Sequence, residues 1–400
     1  MFLKDFKATL ATDNFIKLSI LLFICSSASA LVNPFLSIFL SQNLNASASQ
    51  IGLFVSLNSI SGIIISTILG RISDKASDGR LILAIAILAG LIGYILYALI
   101  TQFYLLLIVS IIFIGLSSVI NSQIFVYAKQ NFDGDEKSQS KITFLRTFVS
   151  IAWVSSPLLG ALLDDKLGFN GLFLGTSISY LFSFIILIIF FKPKPKEHIE
   201  PKKNDVKKDK VYSNKYIVEC FIVFTLLQVI NTVLNTSVPL YVTENLHYGN
   251  AYIGIISSFA AFAEIPFMII LASLSIKFPI KHLINAGIIT CLCFLILLLY
   301  VNNIYLIIFI HILKAVFVSA YMGIGIAFFQ DMMPNRYGTS TTLYTNTTRL
   351  GTILGGMVIS MFSVSYPQIF IILIIICVLS LIVFNFADDG YKEFDTKIAK

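Results

Sequence analysis

Arg146 and Trp153 form the first candidate ligand-binding pair in the sequence. They are seven positions apart, so in a helix they lie two turns apart on one face. The guanidinium supplies hydrogen-bond donors for hydroxyl groups, and the indole supplies a flat apolar surface for the C–H face of a sugar ring. An arginine inside an apolar stretch usually faces a polar interior. The pair is therefore a candidate binding face for a ligand with hydroxyl groups and an apolar ring face; the alternative is an arginine that reaches the lipid headgroups and a tryptophan that only packs.

Amide side chains inside the apolar stretches form a second group of candidate binding residues. An amide both donates and accepts hydrogen bonds without carrying a charge, which matches the hydroxyl groups of a sugar. The same property lets an amide join two helices, so each residue has two interpretations. We expect substrate contacts from Asn33, Asn58, Asn231 and Asn235.

Glu264 is the leading candidate for moving a proton. It is the one acidic residue deep in any apolar stretch, about 14 residues or ~21 Å from the predicted outer end of its helix. A carboxyl group at this depth can be neutral in one state and charged in another. A static charge pair with Lys314 or Arg349 is the alternative, and the roles of those two cations stay open. His311 can also titrate and is the reserve candidate for proton coupling.

Twelve apolar stretches must position these residues. The chain is 57% hydrophobic and 12% charged, about half the charged share of a soluble domain, and a spanning helix needs roughly 20 apolar residues. The composition therefore predicts an all-α membrane protein with twelve transmembrane helices. The predicted spans are 16–40, 50–70, 81–100, 103–128, 142–165, 170–191, 216–243, 250–275, 281–301, 303–330, 339–363 and 366–386.

The one long polar stretch, residues 192–215, is KPKPKEHIEPKKNDVKKDKVYSNK. A basic arm for nucleic acid is the soluble interpretation, but no soluble domain lies beside it. We interpret it as a cytoplasmic linker between an N-terminal six-helix bundle (1–191) and a C-terminal one (216–400). Lysine and arginine concentrate on the linker's side of the predicted spans, which places both termini in the cytoplasm. We expect a multi-pass protein of the inner membrane that works as a monomer in the lipid bilayer.

The two predicted bundles also share a sequence pattern. QIGLFVSLNSISGIII (50–65) aligns with YIGIISSFAAFAEIPF (252–267), and each opens the second helix of its half. Two parallel six-helix repeats indicate two pseudo-symmetric bundles. Between the second and third spans, GRISDKASDGR (70–80) resembles the loop signature of the major facilitator superfamily, with one residue inserted. The resemblance implies a gate, and we expect the gating residues to be Gly70, Asp74, Lys75 and Arg80, with Asp331 and Arg336 in a second gate.

Longer matches resemble one branch of that superfamily, the bacterial sugar efflux transporters. They are SDKASDGR (73–80), RTFVSIAWVSSP (146–157), AEIPFMI (263–269) and GIGIAFFQDMMPNRYGTSTTLYTN (323–346). The resemblance implies proton-coupled export of small sugars and glycosides by alternating access. The Arg146–Trp153 spacing is also similar to that of the galactoside-binding pair in the lactose permease family, whose fourth helix adds an acidic residue. In this chain, the fourth span has Asn121 and Gln123 instead.

The sequence also argues against an enzyme. It has no GxxxxGK[ST] phosphate loop, no HExxH metal motif and no soluble domain to hold a cofactor, so we expect neither catalysis nor a cofactor, and transport driven by an ion gradient. A multidrug or organic-anion exporter of the same fold is the main alternative, suggested by the excess of embedded positive charge. A non-transporting membrane receptor or scaffold is the third possibility, and the buried ionisable residues argue against it.

Overall fold

The computed structural model describes residues 13–75, 79–132, 138–191, 212–333, 336–361 and 365–387. These residues form helices joined by short connections, and the described part of the chain contains no strand. Most of the predicted linker, residues 192–211, lies outside the described residues.

The helices are numbered in chain order. They are α1 (Asp13–Val32), α2 (Leu36–Gln42), α3 (Ala48–Lys75), α4 (Gly79–Leu99), α5 (Phe103–Val109), α6 (Gly115–Ser117), α7 (Ile120–Asn131), α8 (Ser138–Phe190), α9 (Asn214–Leu240), α10 (Ala251–Leu274), α11 (Ile280–Tyr300), α12 (Ile304–Val318), α13 (Gly325–Met332), α14 (Tyr337–Met361) and α15 (Tyr366–Phe386).

Ten helical stretches among the described residues are long and apolar enough to cross a membrane, where the sequence predicts twelve spans. The 53-residue helix α8 holds two of the predicted spans, which meet at Gly168, where φ is 65° and ψ is −172°. Glycine tolerates this positive φ because it has no Cβ. Helix α14 coincides with the predicted span at 339–363 but is not one of the ten, because its first half, YGTSTTLYTNTTR, is polar. The structure therefore confirms the all-helical membrane fold but only part of the count.

Several of the long helical stretches are not regular α-helices over their whole length. Pro34 sits in a short 3₁₀ turn, Asn33–Phe35, between α1 and α2, since a proline interrupts the regular α-helical hydrogen bonds. Three π segments follow at Ser110–Ile114, Tyr241–Asn245 and Ser319–Gly323. Such wide turns are rare in helices and are frequent at functional positions.

The outward faces of these helices are apolar. Ile189 is 65% exposed, Phe309 65% and Phe262 62%, and many other isoleucine, leucine and phenylalanine side chains are exposed in the same way. Such a surface suits lipid rather than water. The protein is therefore a multi-pass membrane protein.

The described contacts divide the chain into two compact units. Unit 1 comprises residues 1–199 and 238–262. In it, α1 and α4 pack against α8, around an aromatic cluster in which the Phe39 and Phe173 rings lie 4.6 Å apart and the Tyr97 and Phe173 rings 5.4 Å apart. Each of these three side chains is nearly inaccessible to solvent.

Unit 2 comprises residues 200–237 and 263–400. Helix α11 packs against α12 and α15, and α13 packs against α14. Phe224 is central to its core and contacts the rings of Phe329 and Tyr344, at centroid distances of 5.0 and 6.1 Å. A Cβ added at Gly325 would lie 2.7 Å from the Tyr344 ring, so this glycine permits the close packing.

Residues 238–262 belong to unit 1 and contact the end of α2 and the part of α8 just before Gly168. Ser41 donates a hydrogen bond to Glu244, and Asn250 Nδ2 donates to Asp164 Oδ2 at 2.8 Å. Next to these bonds, a Cβ added at Gly254 would lie 2.6 Å from the Ala161 Cβ and 2.7 Å from the Pro157 carbonyl oxygen. We call these three contacts the Gly254 contact region. The predicted division into bundles at 1–191 and 216–400 stays a prediction.

Candidate functional site

A cavity of about 220 Å³, lined by both polar and apolar side chains, lies in unit 1. Its walls come from the first four predicted spans, and none of the described residues that line it carries a formal charge. The lining residues are Cys25, Ser29, Val32, Asn33, Leu36, Asn58, Tyr94, Tyr97, Ser110, Ile114, Ser117, Ser118, Ile120 and Asn121. We call this space the amide–hydroxyl cavity. It contains both amides that the sequence predicts as binding residues in the N-terminal half.

A chain of hydrogen bonds fixes one wall of the cavity. The Tyr97 hydroxyl donates to Ser110 Oγ at 2.8 Å, and Ser110 Oγ donates to Asn58 Oδ1 at 2.6 Å. The Asn58 amide is therefore held in one orientation by side chains from two other helices. A fixed array of donors and acceptors is what a site needs to select among the hydroxyl groups of a polar ligand.

Backbone irregularities place these side chains. Ser110 is the first residue of the π segment Ser110–Ile114, whose wider turn changes the direction in which the following side chains point. Gly93 allows the segment to approach α4, because a Cβ there would lie 2.9 Å from the Phe113 Cβ. Asn33 reaches the cavity from the 3₁₀ turn before Pro34.

Arg146 and Trp153 lie on α8 and do not line the amide–hydroxyl cavity. Arg146 is exposed, and its guanidinium lies 5.8 Å from the centre of the Phe125 ring, within the range of a cation–π interaction. Trp153 is partly exposed. That the two residues bind sugar together stays a prediction.

A second polar group lies in unit 2 around Lys314. The Lys314 ammonium donates to Asn235 Oδ1 at 2.7 Å and interacts electrostatically with the Glu264 carboxyl group. Lys314 is 9% exposed, whereas Asn235 is exposed and Glu264 is half-buried. The π segment Ser319–Gly323 adjoins them, and Ser319 Oγ donates to the Glu264 carbonyl oxygen at 3.1 Å. The structure thus pairs the predicted site residue Asn235 with Lys314.

His311 occupies a different environment. Its side chain is 1% exposed, and Nδ1 lies 2.7 Å from the Ile307 carbonyl oxygen of the preceding turn. Its ring also packs edge-on against Phe294, with centroids 5.1 Å apart. This burial separates His311 from solvent, so it remains only the reserve candidate for proton coupling.

Asn231 is buried on α9, one turn before Asn235. A further hydrogen-bond network surrounds Gln228 on the same helix. The Tyr321 hydroxyl donates to Gln228 Oε1 at 3.0 Å, and Gln228 Nε2 lies 3.3 Å from Thr352 Oγ1. Tyr321 and Thr352 are not among the predicted site residues, because the residues of this network belong to helices that are far apart in the sequence.

The predicted gating residues lie at helix ends. A Cβ added at Gly70 would meet no described atom within 4 Å. The side chains of Asp74 and Lys75 lie outside the described residues. Arg80 Nη2 donates to the Ile188 carbonyl oxygen at 3.2 Å. Asp331 and Arg336 are both exposed near the end of α13. Their role as a gate stays a prediction.

The chain is similar to known proteins over most of its length. The sequence model of the Major Facilitator Superfamily matches residues 18–219 and 220–399. The chain is 30% identical over 338 residues to sugar efflux transporter C of Escherichia coli K12, which covers 84% of this chain and 86% of that protein. It is 28% identical over 340 residues to sugar efflux transporter B of Salmonella typhimurium, covering 84% and 86%.

Solved structures resemble the fold at low sequence identity. The nucleoside transporter NupG matches with a TM-score of 0.78 and 16% identity, covering 95% of this chain and all of that one. A bacterial homologue of the lysosomal transporter Spinster, solved inward-facing and unoccupied, matches with a TM-score of 0.76 and 11% identity, covering 93% and 96%. At these identities the likeness extends to the fold alone.

Proposed function

The chain belongs to the Major Facilitator Superfamily, within its bacterial sugar efflux transporters, and from that premise we propose that it exports small sugars or glycosides in exchange for protons. It is a membrane transporter and not an enzyme, as its relatives and structural neighbours are transporters. We propose that it lies in the inner membrane and works as a monomer. Both termini would lie in the cytoplasm, because lysine and arginine concentrate on that side of the predicted spans.

The observation that carries the proposal is the amide–hydroxyl cavity. Its 220 Å³ is below the ~300–1,000 Å³ of pockets that hold drug-sized ligands, so its size favours a small ligand. The amides, serines and tyrosines in its lining offer donors and acceptors without charge, as sugar hydroxyls require, and the apolar side chains beside them could face the C–H groups of a sugar ring. Asn33 and Asn58 would be sugar contacts there. Asn231 and Asn235, which belong to unit 2, are proposed as sugar contacts in their own right.

The Gly254 contact region supports alternating access. Its residues lie at the helix ends that the charge distribution assigns to the outside of the cell, so these contacts would close the outer side. Separation of residues 238–262 from α2 and α8 would break the Ser41–Glu244 and Asn250–Asp164 hydrogen bonds and open that side. The predicted inner gates, Asp74 with its neighbours and Asp331 with Arg336, would then close the other side.

A multidrug or organic-anion exporter is the second candidate. It is favoured by the buried cation of Lys314, which would attract a negative group, and by the many phenylalanine side chains of the chain. The two candidate functions predict transport of different solutes. A single transport assay that supplies both kinds of solute therefore distinguishes them.

The assay uses the purified chain in proteoliposomes with an imposed pH difference. Labelled glucose, lactose and a methyl glycoside are supplied in parallel with a cationic dye and an organic anion. We expect sugar flux that depends on the pH difference and vanishes when a protonophore removes it. Flux of dye or anion without sugar would favour the second candidate, and no flux of any solute would contradict both.

Trp153→Ala is expected to weaken sugar binding while the protein remains folded and inserted. By analogy with base stacking, an aromatic plate under a ring contributes ~1–3 kcal/mol, which corresponds to a loss of about 5- to 150-fold in affinity. Phe182→Ala is the matched control, because Phe182 is an aromatic residue on the same helix with a 56% exposed side chain. Unchanged affinity in folded Trp153→Ala would remove Arg146 and Trp153 from the site and leave the amide–hydroxyl cavity.

A further inference from the structure

Only one end of the Asn58 amide, its oxygen, is bonded to the rest of unit 1. This oxygen, Oδ1, accepts a hydrogen bond from Ser110 Oγ at 2.6 Å. The nitrogen, Nδ2, has no hydrogen-bond partner among the described residues, and the half-buried side chain lines the amide–hydroxyl cavity. An amide nitrogen carries two donors and no acceptor. The end of Asn58 that remains for a ligand is therefore a donor.

Ser110 determines which end of the amide remains. The Tyr97 side chain is 2% exposed, and among the described residues the single proton of its hydroxyl has one acceptor, Ser110 Oγ at 2.8 Å. Ser110 therefore donates its own proton to Asn58. If the amide were turned over, both neighbours would donate to Ser110, and the proton of this 0% exposed serine would have no acceptor in the described part of the chain. Leaving a buried donor unpaired costs free energy, so the amide keeps its oxygen on Ser110.

Other polar groups of the cavity have a fixed polarity too. Ser118 donates its proton to the Gly115 carbonyl oxygen at 2.7 Å, so only the lone pairs of its Oγ remain for a ligand. Asn121 has the same polarity as Asn58, because Ser26 Oγ donates to its Oδ1 over a longer distance of 3.4 Å. A sugar hydroxyl both accepts and donates. It can therefore accept from an amide nitrogen and donate to a serine oxygen of the same cavity.

Resting on the proposed transport of sugars, we infer that Asn58 selects the substrate by donating to the oxygen of one sugar hydroxyl, and that Ser110 is the positioning residue that sets this polarity. A hydroxyl group turns a lone pair toward the amide nitrogen. An ammonium at the same place has three donors and no acceptor, so it would face the N–H groups of Asn58 with no hydrogen bond formed. The cavity therefore rejects a sugar that carries an amino group in place of this hydroxyl.

The test measures how sugar analogues compete with the labelled parent sugar for the purified full chain. The parent is the sugar that the proteoliposome assay shows the chain to move. One ring hydroxyl at a time is replaced by hydrogen, by fluorine or by an amino group, at about pH 6, where such an amine carries its proton. Fluorine accepts a hydrogen bond weakly and cannot donate one, whereas an ammonium can only donate. The three replacements therefore report the direction of the hydrogen bond at each ring position.

Asn58→Ala identifies the hydroxyl that Asn58 contacts. At that ring position, replacement by hydrogen lowers the affinity of the wild-type chain but not that of the variant. The deoxy analogue should bind the wild-type chain roughly 10-fold more weakly than the parent sugar, and fluorine should restore about 3-fold of this loss. The ammonium analogue should bind more weakly than the deoxy analogue. Equal binding of the deoxy and fluoro analogues, or ammonium binding as strong as that of the parent, would overturn the inference.

Ser110→Ala removes the donor that holds the amide oxygen, so Asn58 can turn this oxygen toward the cavity. The ammonium analogue should then bind about 10-fold more tightly than it binds the wild-type chain. Ser177→Ala is the matched control, because Ser177 is a buried serine of unit 1 that donates to the Phe173 carbonyl at 2.9 Å and does not line the cavity. It should reject the ammonium analogue as the wild type does.

If Ser110→Ala does not fold, Ser110→Cys provides the same comparison, because a thiol has nearly the shape of the hydroxyl group but is a weak donor. A folded Ser110→Ala or Ser110→Cys variant that rejects the ammonium analogue as strongly as the wild type would overturn the role of Ser110.

The result also separates this inference from the proposed function. If the chain moves sugar but Asn58→Ala changes the pattern of affinities at no ring position, sugar export stands and the selection by Asn58 fails. If the wild-type chain binds none of the sugars, the proposed function fails and the selection fails with it.

Discussion

Glu264→Gln is expected to abolish the accumulation of sugar against its gradient while sparing sugar exchange across the membrane. Glutamine keeps the size and the hydrogen bonding of the carboxyl group but stays neutral, so no proton is bound or released during the transport cycle. Exchange moves sugar in both directions without net proton movement, so it continues at saturating sugar. The measurement is uptake of labelled sugar into proteoliposomes, with and without an imposed pH difference, compared with counterflow.

Glu219→Gln is the control for this substitution. Glu219 lies near the start of α9, 3.7 Å from the Lys215 ammonium, in the same unit as Glu264. Its loss should leave accumulation unchanged. If Glu264→Gln still concentrates sugar when a pH difference is imposed, the proton site lies elsewhere, and His311 becomes the next residue to test.

Gly254→Leu should nearly stop export without unfolding the chain. A Cβ at this position would overlap Ala161 and the Pro157 carbonyl, so the larger side chain would keep α10 away from α8 and hold the outer side open. Overpacking costs typically 1–3 kcal/mol, which shifts the equilibrium against the closed state about 5- to 150-fold. The readouts are the export rate and the labelling of a cysteine placed at Ser41 by an impermeant thiol reagent from outside.

Gly249→Leu tests whether the effect comes from the contact rather than from any added bulk. Gly249 lies five residues earlier, and a Cβ there would meet no atom of the described residues within 4 Å. Its export rate should match that of the wild type. Normal export by a folded Gly254→Leu variant would show that the Gly254 contact region is not needed for the transport cycle.

Hydrophobic length located the helices well, because burial in lipid demands an apolar stretch of fixed length. Hydrophobic length does not identify a helix whose first half is polar, and it does not mark the boundary between two spans that follow each other directly. The Thr-rich start of α14 is a helix in the structure but is too polar to count as a span by itself. The turn at Gly168 is a single residue with positive φ, and a one-residue connection leaves no polar segment to mark it in the sequence.

The candidate site was predicted in part. Asn33 and Asn58 were identifiable because an amide inside an apolar stretch needs a polar partner, and both line the amide–hydroxyl cavity. Ser110 was missed because serine is common in membrane helices and its placement depends on a π segment. Lys314 and Asn235 are 79 positions apart, and nothing in a single sequence pairs two such helices.

The π segment Ser110–Ile114 should be visible when the sequence of this chain is aligned with those of its relatives. In a π segment, a backbone N–H bonds to the carbonyl five residues earlier rather than four. The segment therefore holds one residue more than a regular α-helix of the same length. The segment is therefore equivalent to a single-residue insertion, and a relative that winds this stretch as an ordinary α-helix should show a one-residue gap opposite it. Deleting one residue here would let the stretch wind as a regular α-helix and would leave the later side chains, Asn121 among them, facing as they do now, whereas the same deletion in a regular helix would turn them by about 100°.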